Sequence, residues 1–212
     1  MKQPAAGKKT CVDCGACACN GKGCSFPDFC LTAGLDPAAF GSVMEEYEKP
    51  ENRSVMTAAA LVEHEGYGRW CRVRETIEFA RKMGFHRLGI ATCMGLISES
   101  RTLARILRSH GFEVYGIGCK VGAVPKVEVG IPEECEDTGV NMCNPLLQAD
   151  LLNRAGTELN IVMGLCVGHD SLFYRHSEAP VTTLVAKDRV TGHNPAAVLY
   201  TSGSYYRHLF EE

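Results

Sequence analysis

The strongest constraint on the fold is a change of hydrophobic period after residue 84. Four short, almost continuous apolar runs follow, at residues 87–92, 113–118, 159–165 and 181–186. Runs of this length, bounded by glycine and separated by helical patterns, are typical of parallel strands that are buried on both faces. Ser98, Asn144 and Asn194 are suited to cap the intervening helices, and proline follows the two asparagines. The pattern predicts an α/β fold with an open, mostly parallel, Rossmann-like sheet and flanking helices.

The chain before the α/β part has two further sections. Residues 1–35 are rich in cysteine and glycine and lack apolar periodicity, so hydrophobic burial alone could not order them. Residues 36–84 contain three helical patterns, which we expect to pack on the core. The predicted organisation is therefore a cysteine-rich metal-binding module at 1–35, a helical segment at 36–84 and a Rossmann-like domain at 85–212.

The helical segment opens with a clear start signal. Asp36 is suited to the N-cap and Pro37 to the first turn of a helix. The apolar residues that follow have the spacing of one helical face: Phe40, Val43, Met44 and Tyr47. That spacing predicts a buried face. Further along, Cys71 lies beside Trp70 and is expected to be a buried core residue.

Cysteine content and charge limit the class of protein. The chain has 12 cysteines among 212 residues, and 45% of its residues are apolar, so it can bury a core without disulfides. Residues 1–10 lack the apolar segment of a signal peptide. We therefore expect a cytoplasmic protein, in whose reducing surroundings clustered cysteines bind metal or serve redox chemistry. A net charge of -3 without a long basic run predicts no nucleic-acid partner, and no apolar stretch is long enough to span a membrane.

Half of the cysteines lie in the first thirty residues, where almost no aliphatic side chain could bury them: Cys11, Cys14, Cys17, Cys19, Cys24 and Cys30. The spacing of Cys11, Cys14 and Cys17 lets successive thiolates face one metal or cluster, as in ferredoxin-type motifs, and Cys30 could supply a distant ligand. Zinc also fits, in a tetrahedron of Cys11, Cys14, Cys24 and Cys30. Because six thiols exceed what one structural zinc requires, we favour an iron-sulfur cluster, of 4Fe-4S type, with zinc as the alternative.

A second group of cysteines follows the predicted strands. Cys93, Cys119 and Cys166 come directly after the first three runs, and Cys143 precedes a helix start. The carboxyl ends of parallel strands share one edge of the sheet, which is where ligands bind in open α/β folds. We therefore predict that these four cysteines form a second cofactor-binding site with His169 close by. The alternative is that each is a buried structural cysteine.

Polar residues near the same edge are candidates for chemistry. His169 and Asp170 follow the third strand, and Lys187 and Arg189 follow the fourth. His169 is suited to metal ligation or proton transfer and the basic pair to anion binding, so His169, Asp170 and Lys187 are the catalytic candidates. The alternative reading is a polar helix cap and a solvated loop.

Several short strings together resemble the DUF1847 family, uncharacterised cysteine-rich proteins of bacteria and archaea that are described as metal-binding. The strings are CVDC at 11–14, PDFC at 27–30, CKVG at 119–122, MCNP at 142–145, GLCVGHD at 164–170, KDR at 187–189 and GHNP at 192–195. The resemblance covers most of the chain and implies metal binding without an assigned reaction. The sheet with cysteines at its strand ends is also similar to Rossmann-type domains of carbon monoxide dehydrogenase and hybrid-cluster proteins, an analogy of fold alone.

The combined prediction is a metal-binding, iron-sulfur protein with a redox role, and so a candidate oxidoreductase. It would exchange electrons with a redox partner protein and act on a small molecule. The alternative is a zinc-stabilised α/β protein that binds a small anionic ligand, or stores or senses metal, without redox turnover. The two differ in iron, sulfide and zinc content and in visible colour.

Overall fold

The structure is a computed structural model that describes residues 7–21, 23 and 25–211. The chain divides into two compact units, Met1–Thr57 and Ala58–Glu212. Among the helices of the described ranges, none has both the length and the apolar character needed to cross a bilayer.

The first unit contains the cysteine-rich segment, in which single 3-10 turns form at Cys11–Asp13 and Ala18–Asn20. Helix α1, Pro37–Glu48, begins where the sequence predicts, and the Asp36 carboxylate accepts a hydrogen bond from the Ala38 amide at 3.3 Å. The apolar stripe of this helix is 42–55% exposed at Phe40, Val43, Met44 and Tyr47. The prediction that this face is buried is wrong, because helical spacing defines an apolar face but does not supply a partner to cover it.

Two further helices lie between α1 and the sheet. Helix α2, Pro50–Gly66, begins with proline in its first turn, and helix α3, Arg72–Lys82, buries Ile77 and Ala80. Cys71 is exposed at the N-cap position of α3, so the prediction of a core position for this cysteine is wrong. The helix starts after Cys71, which therefore lies outside the face of α3 that packs.

Four parallel strands form one sheet in the order β2-β1-β3-β4. The strands are β1 Arg87–Thr92, β2 Glu113–Gly118, β3 Leu159–Met163 and β4 Val181–Val185. The helices after β1 are α4 Ile97–Ser109, α5 Pro145–Arg154, α6 His169–His176 and the short α7 Ala196–Tyr200. The predicted α/β class with a parallel sheet is confirmed, since all four apolar runs form strands.

Both faces of the sheet are covered. Leu88 and Ile90 of β1 are buried in one apolar cluster together with residues of α3 and α4. Ala91 of β1 and Val162 of β3 are buried in a second cluster with residues of α5 and α6. Successive side chains of a strand point to opposite faces of the sheet. Because both faces are buried, these strands are continuous apolar runs in the sequence.

The strand order reverses beside β1, since the chain passes from β1 to β2 on one side and later returns to β3 on the other. The carboxyl ends of β1 and β3 therefore flank the crevice where open α/β sheets bind ligands. Gln148 of α5 is fully buried beneath this edge. Its amide donates to the carbonyl oxygens of Thr92 at 3.2 Å and Ile117 at 2.7 Å, which ties the ends of β1 and β2 together.

Candidate functional site

Cysteines follow three of the four strands. Cys93 directly follows β1, and Cys119 directly follows β2. Cys166 lies beyond the end of β3, after a turn at Gly164 and Leu165, because the strand ends at Met163. Cys143 precedes Asn144, the N-cap residue of α5.

Two of these thiols are in contact, and a third lies beside them. The Sγ atoms of Cys119 and Cys143 are 3.8 Å apart, and Cys93 packs against the buried cluster that contains Cys119. Backbone amides reach the sulfurs too, since Met94 N donates to Cys119 Sγ and Gly95 N donates to Cys93 Sγ, both at 3.4 Å. Cys119 is 2% exposed, whereas Cys93 and Cys143 are partly exposed. The structure thus places thiols from three separate chain segments beside one another at the carboxyl edge of the sheet.

The three thiols influence one another's ionisation. The neighbouring Cys119 thiol is the largest cause that lowers the pKa of Cys93 and of Cys143, to about 5 each. Pairing with these two neighbours, together with burial, raises the pKa of Cys119 far above that of an ordinary thiol. Thiolates are the form of cysteine that binds metal or attacks electrophiles.

Each of the three outer cysteines has a basic side chain beside it: Lys187 at Cys93, Lys120 at Cys143 and Arg189 at Cys166. The Arg189 guanidinium donates to Cys166 Sγ at 3.3 Å. The Cys166 sulfur is the main cause of the raised pKa of Arg189, with smaller contributions from Cys93 and Cys143. Arg189 therefore links Cys166 electrostatically to the other thiols, and the edge combines thiolates with balancing cations.

His169 and Asp170 begin helix α6 near this group. The Nδ1 atom of His169 is buried and has no hydrogen-bond partner in the described part of the chain, and the imidazole contributes to the lowered pKa of Cys143. Asp170 caps its own helix instead, since its carboxylate accepts from the amides of Gly168 and Ser171 at 3.0 and 2.8 Å. His169 thus has a ring nitrogen that can bind a metal or transfer a proton, while Asp170 has the polar capping role.

The described cysteines of the first unit also come together. A cavity of about 70 Å³ is lined by Cys11, Cys14, Cys17, Cys19 and Cys30, with Phe26, Pro27 and Phe29 among its other walls. Cys24, the sixth predicted ligand, lies outside the described residues. The pKa of Cys30 is lowered, first by the backbone amide of Ala33. Cys135 is exposed and belongs to neither group.

Across the described ranges, no three Cys, His, Asp or Glu side chains have the arrangement that holds a metal ion. The donor chemistry at the edge still suits a thiolate-bound metal. Two thiolates bound about 2.3 Å from one tetrahedral ion lie about 3.8 Å apart, and the sulfurs of Cys119 and Cys143 are separated by 3.8 Å. This pair therefore has the bite of two ligands of one metal.

Sequence reasoning missed Lys120 and Gln148. Lys120 directly follows Cys119, so the strand-end argument that selected the cysteine applies equally to the lysine. Gln148 is a glutamine on the buried side of α5, next to Ala149, which is also fully buried. A polar residue on the apolar face of a helix that packs on a sheet indicates a buried hydrogen bond.

Comparison with known proteins places this architecture among relatives of unknown role. The model of the family described as protein of unknown function (DUF1847) matches residues 30–184. An uncharacterised protein of Methanocaldococcus jannaschii, MJ0455, is 43% identical over 169 residues, which are 80% of this chain and 86% of the relative. The family match includes the edge cysteines and Cys30, but not residues 11–24 or the basic residues after β4.

Proposed function

This chain belongs to the DUF1847 family, whose function is unknown, and we propose that it binds a thiolate-ligated metal centre at the carboxyl edge of its sheet. The centre we favour is an iron-sulfur cluster of 4Fe-4S type with a redox role. One observation carries the proposal: the sulfurs of Cys119 and Cys143, from separate segments, are 3.8 Å apart at the reversal of strand order, with Cys93 packed beside them. Grouped thiolates repel one another, and metal is the partner that makes such a group favourable.

The surroundings suit a negatively charged centre. Lys120, Lys187 and Arg189 place positive charge at the outer cysteines, and positive charge stabilises the electron that a cluster gains on reduction. When bound, the cluster would supply one-electron chemistry. Cys166 is the proposed fourth ligand, held by Arg189, and His169 is the proposed proton donor or alternative ligand because its Nδ1 has no other partner.

The first unit is the proposed site of a second centre. Its described cysteines line one cavity, and the three at residues 11, 14 and 17 have the spacing of a ferredoxin-type motif. In this proposal the second centre exchanges electrons with a redox partner protein in the reducing cytoplasm. The centre at the sheet edge then passes electrons to a small molecule.

Zinc is the second candidate, and one distance favours it. The 3.8 Å between the sulfurs of Cys119 and Cys143 fits two ligands of a single tetrahedral ion. With zinc at both sites, the protein would bind a small anion at its basic edge, or store or sense metal, without redox turnover.

Anaerobic purification of the full chain tests the proposal, with iron, acid-labile sulfide and zinc measured alongside the visible spectrum. We expect a brown protein containing iron and sulfide, and the variant Cys119→Ser should lose the part of the metal that the edge binds. Cys135→Ser removes an exposed thiol outside both groups and is the matched control, so it should keep all metal.

A colourless protein that contains zinc would favour the second candidate. A protein that contains neither iron nor zinc after purification from metal-supplemented cells would refute metal binding. Equal metal content in Cys119→Ser and Cys135→Ser would refute the edge site while leaving the first unit as the metal site.

A further inference from the structure

A second concave feature lies between helix α4 and strands β1 and β2. This groove has a volume of about 590 Å³, within the size range of small-molecule pockets. Its wall includes Arg101, Arg105 and Arg108 of α4, and its floor includes Ile90 and Gly116 of the strands. No cysteine of the described ranges lines it, so it is distinct from the described thiol sites.

The three arginines share one face of α4. At about 100° per residue, positions 101, 105 and 108 fall within about 60° of arc and rise over about 10 Å. Among the described residues none of the three forms an ion pair: Arg105 and Arg108 donate only to Thr102 Oγ1 and the Val114 carbonyl. Among the residues that the structure describes, no acidic side chain lines the groove. This concentration of uncompensated positive charge is unusual in a chain whose net charge is -3.

The floor of the groove is apolar and open. A Cβ added at Gly116 would meet only Ile90 Cβ, at 4.0 Å, so the glycine leaves space above the strand. Ile97 and Ala104 add apolar surface to the lining. A flat group could therefore lie against Gly116 while anionic groups reach the arginines.

We propose that this groove binds a phosphorylated ligand of nucleotide size. Its phosphates contact Arg101, Arg105 and Arg108, and its planar part lies against Gly116 beside Ile97 and Ala104. Guanidinium groups bind phosphate through paired, charge-assisted hydrogen bonds, and three on one helix face match a chain of two or three phosphates. The inference is independent of the metal centre, because no thiol takes part.

Calorimetric titration of the full-chain protein with ADP, pyrophosphate and adenosine tests each part of the groove. We expect ADP to bind more tightly than pyrophosphate and adenosine to bind weakly. The double variant Arg101→Gln and Arg105→Gln should weaken ADP and pyrophosphate binding about tenfold or more. Arg154→Gln removes an exposed arginine of α5 that pairs with Asp150 and is the matched control, with unchanged binding expected.

Gly116→Val tests the floor without changing any charge. Valine suits a strand, and a Cβ at this position makes no close contact, so the variant should keep its circular dichroism spectrum. It should lose affinity for ADP but not for pyrophosphate. The proposal is overturned if ADP and pyrophosphate show no binding up to about 1 mM, if Arg154→Gln weakens binding as much as the double variant, or if Gly116→Val binds ADP unchanged. We expect all these variants to keep their metal, because none changes a cysteine, so failure here is distinguishable from failure of the metal centre.

Discussion

The two cysteine groups of this protein are built in opposite ways. In the first unit the thiols come from one short segment, and no described residue from 7 to 35 is buried. At the sheet edge, Cys93, Cys119 and Cys143 come from separate segments, and Cys119 is 2% exposed. The cysteines of the first unit are therefore close in sequence but lie on no packed core. Those of the sheet edge are far apart in sequence and are held by packed strands and helices. The contrast teaches that metal should order the first group, whereas the packed sheet already orders the second.

Metal removal should give the largest difference in behaviour between the two cysteine groups. Chelation under anaerobic conditions should raise proteolytic cleavage within residues 7–35 on the order of tenfold, because nothing buried holds that segment. The α/β unit should stay folded, with a melting temperature lowered only by loss of the metal that its edge binds. Limited proteolysis with mass spectrometry, and calorimetry, measure the two effects. Protection of residues 7–35 in metal-free protein would contradict this contrast.

Single cysteine replacements should remove metal from one group at a time. Cys93→Ser and Cys166→Ser should each abolish metal binding at the sheet edge and spare the first unit, since each removes one proposed ligand of a shared centre. Cys11→Ser should have the reverse effect. Cys71→Ser, which removes an exposed thiol at a helix N-cap, is the control. Metal analysis and visible spectra give the readout, and parallel loss from both groups in any one variant would show that they are not separate.

Replacement of Gln148 should reduce metal binding at the sheet edge and not at the cysteines of the first unit. Gln148→Leu removes the amide that joins Thr92 and Ile117, so we expect a loss of about 1–3 kcal/mol in unfolding free energy and reduced metal at the edge. Asn153→Leu on the same helix removes an amide that donates to the His176 carbonyl at 2.8 Å, away from the cysteines. It should lose stability without losing metal. Denaturant titration and metal analysis measure both, and equal metal loss in the two variants would assign Gln148 a general structural role only.

The smallest expected change in stability concerns Glu158, which lies at the edge of the sheet where the strands begin. The Glu158 carboxylate accepts from the amides of Arg87 at 2.7 Å and His86 at 2.6 Å, and these two bonds lower its pKa. A folded pKa below the unfolded value contributes stability that is present above the unfolded pKa and is lost as pH falls through the folded pKa. Glu158→Gln should therefore cost about 1 kcal/mol at neutral pH and nothing in strong acid.

Stability of this variant measured as a function of pH checks the sign. Metal content should stay at the wild-type level, because Glu158 lies at the amino end of β1. A stability difference that grows as the pH falls would contradict the assignment.

The sequence predicted the sheet well because burial on both faces leaves an unbroken apolar run. All four runs are strands, and the cysteine positions after β1 and β2 follow directly from the strand ends. The prediction that the face from Phe40 to Tyr47 is buried was wrong, because amphipathic spacing indicates which face is apolar but not whether another element covers it. Cys71 misled because its burial depended on where α3 begins, and helix boundaries are weakly encoded.

Local patterns were thus sufficient for the class of fold, the parallel strands and the edge at which Cys93 and Cys119 emerge. The contact of Cys119 with Cys143, the link from Arg189 to Cys166 and the groove beside α4 depended on the tertiary structure. The physical reason is the sequence distance over which each effect acts. Hydrophobic period and capping act over a few residues, whereas side-chain distances depend on strand order, on crossover length and on how each loop returns to the sheet.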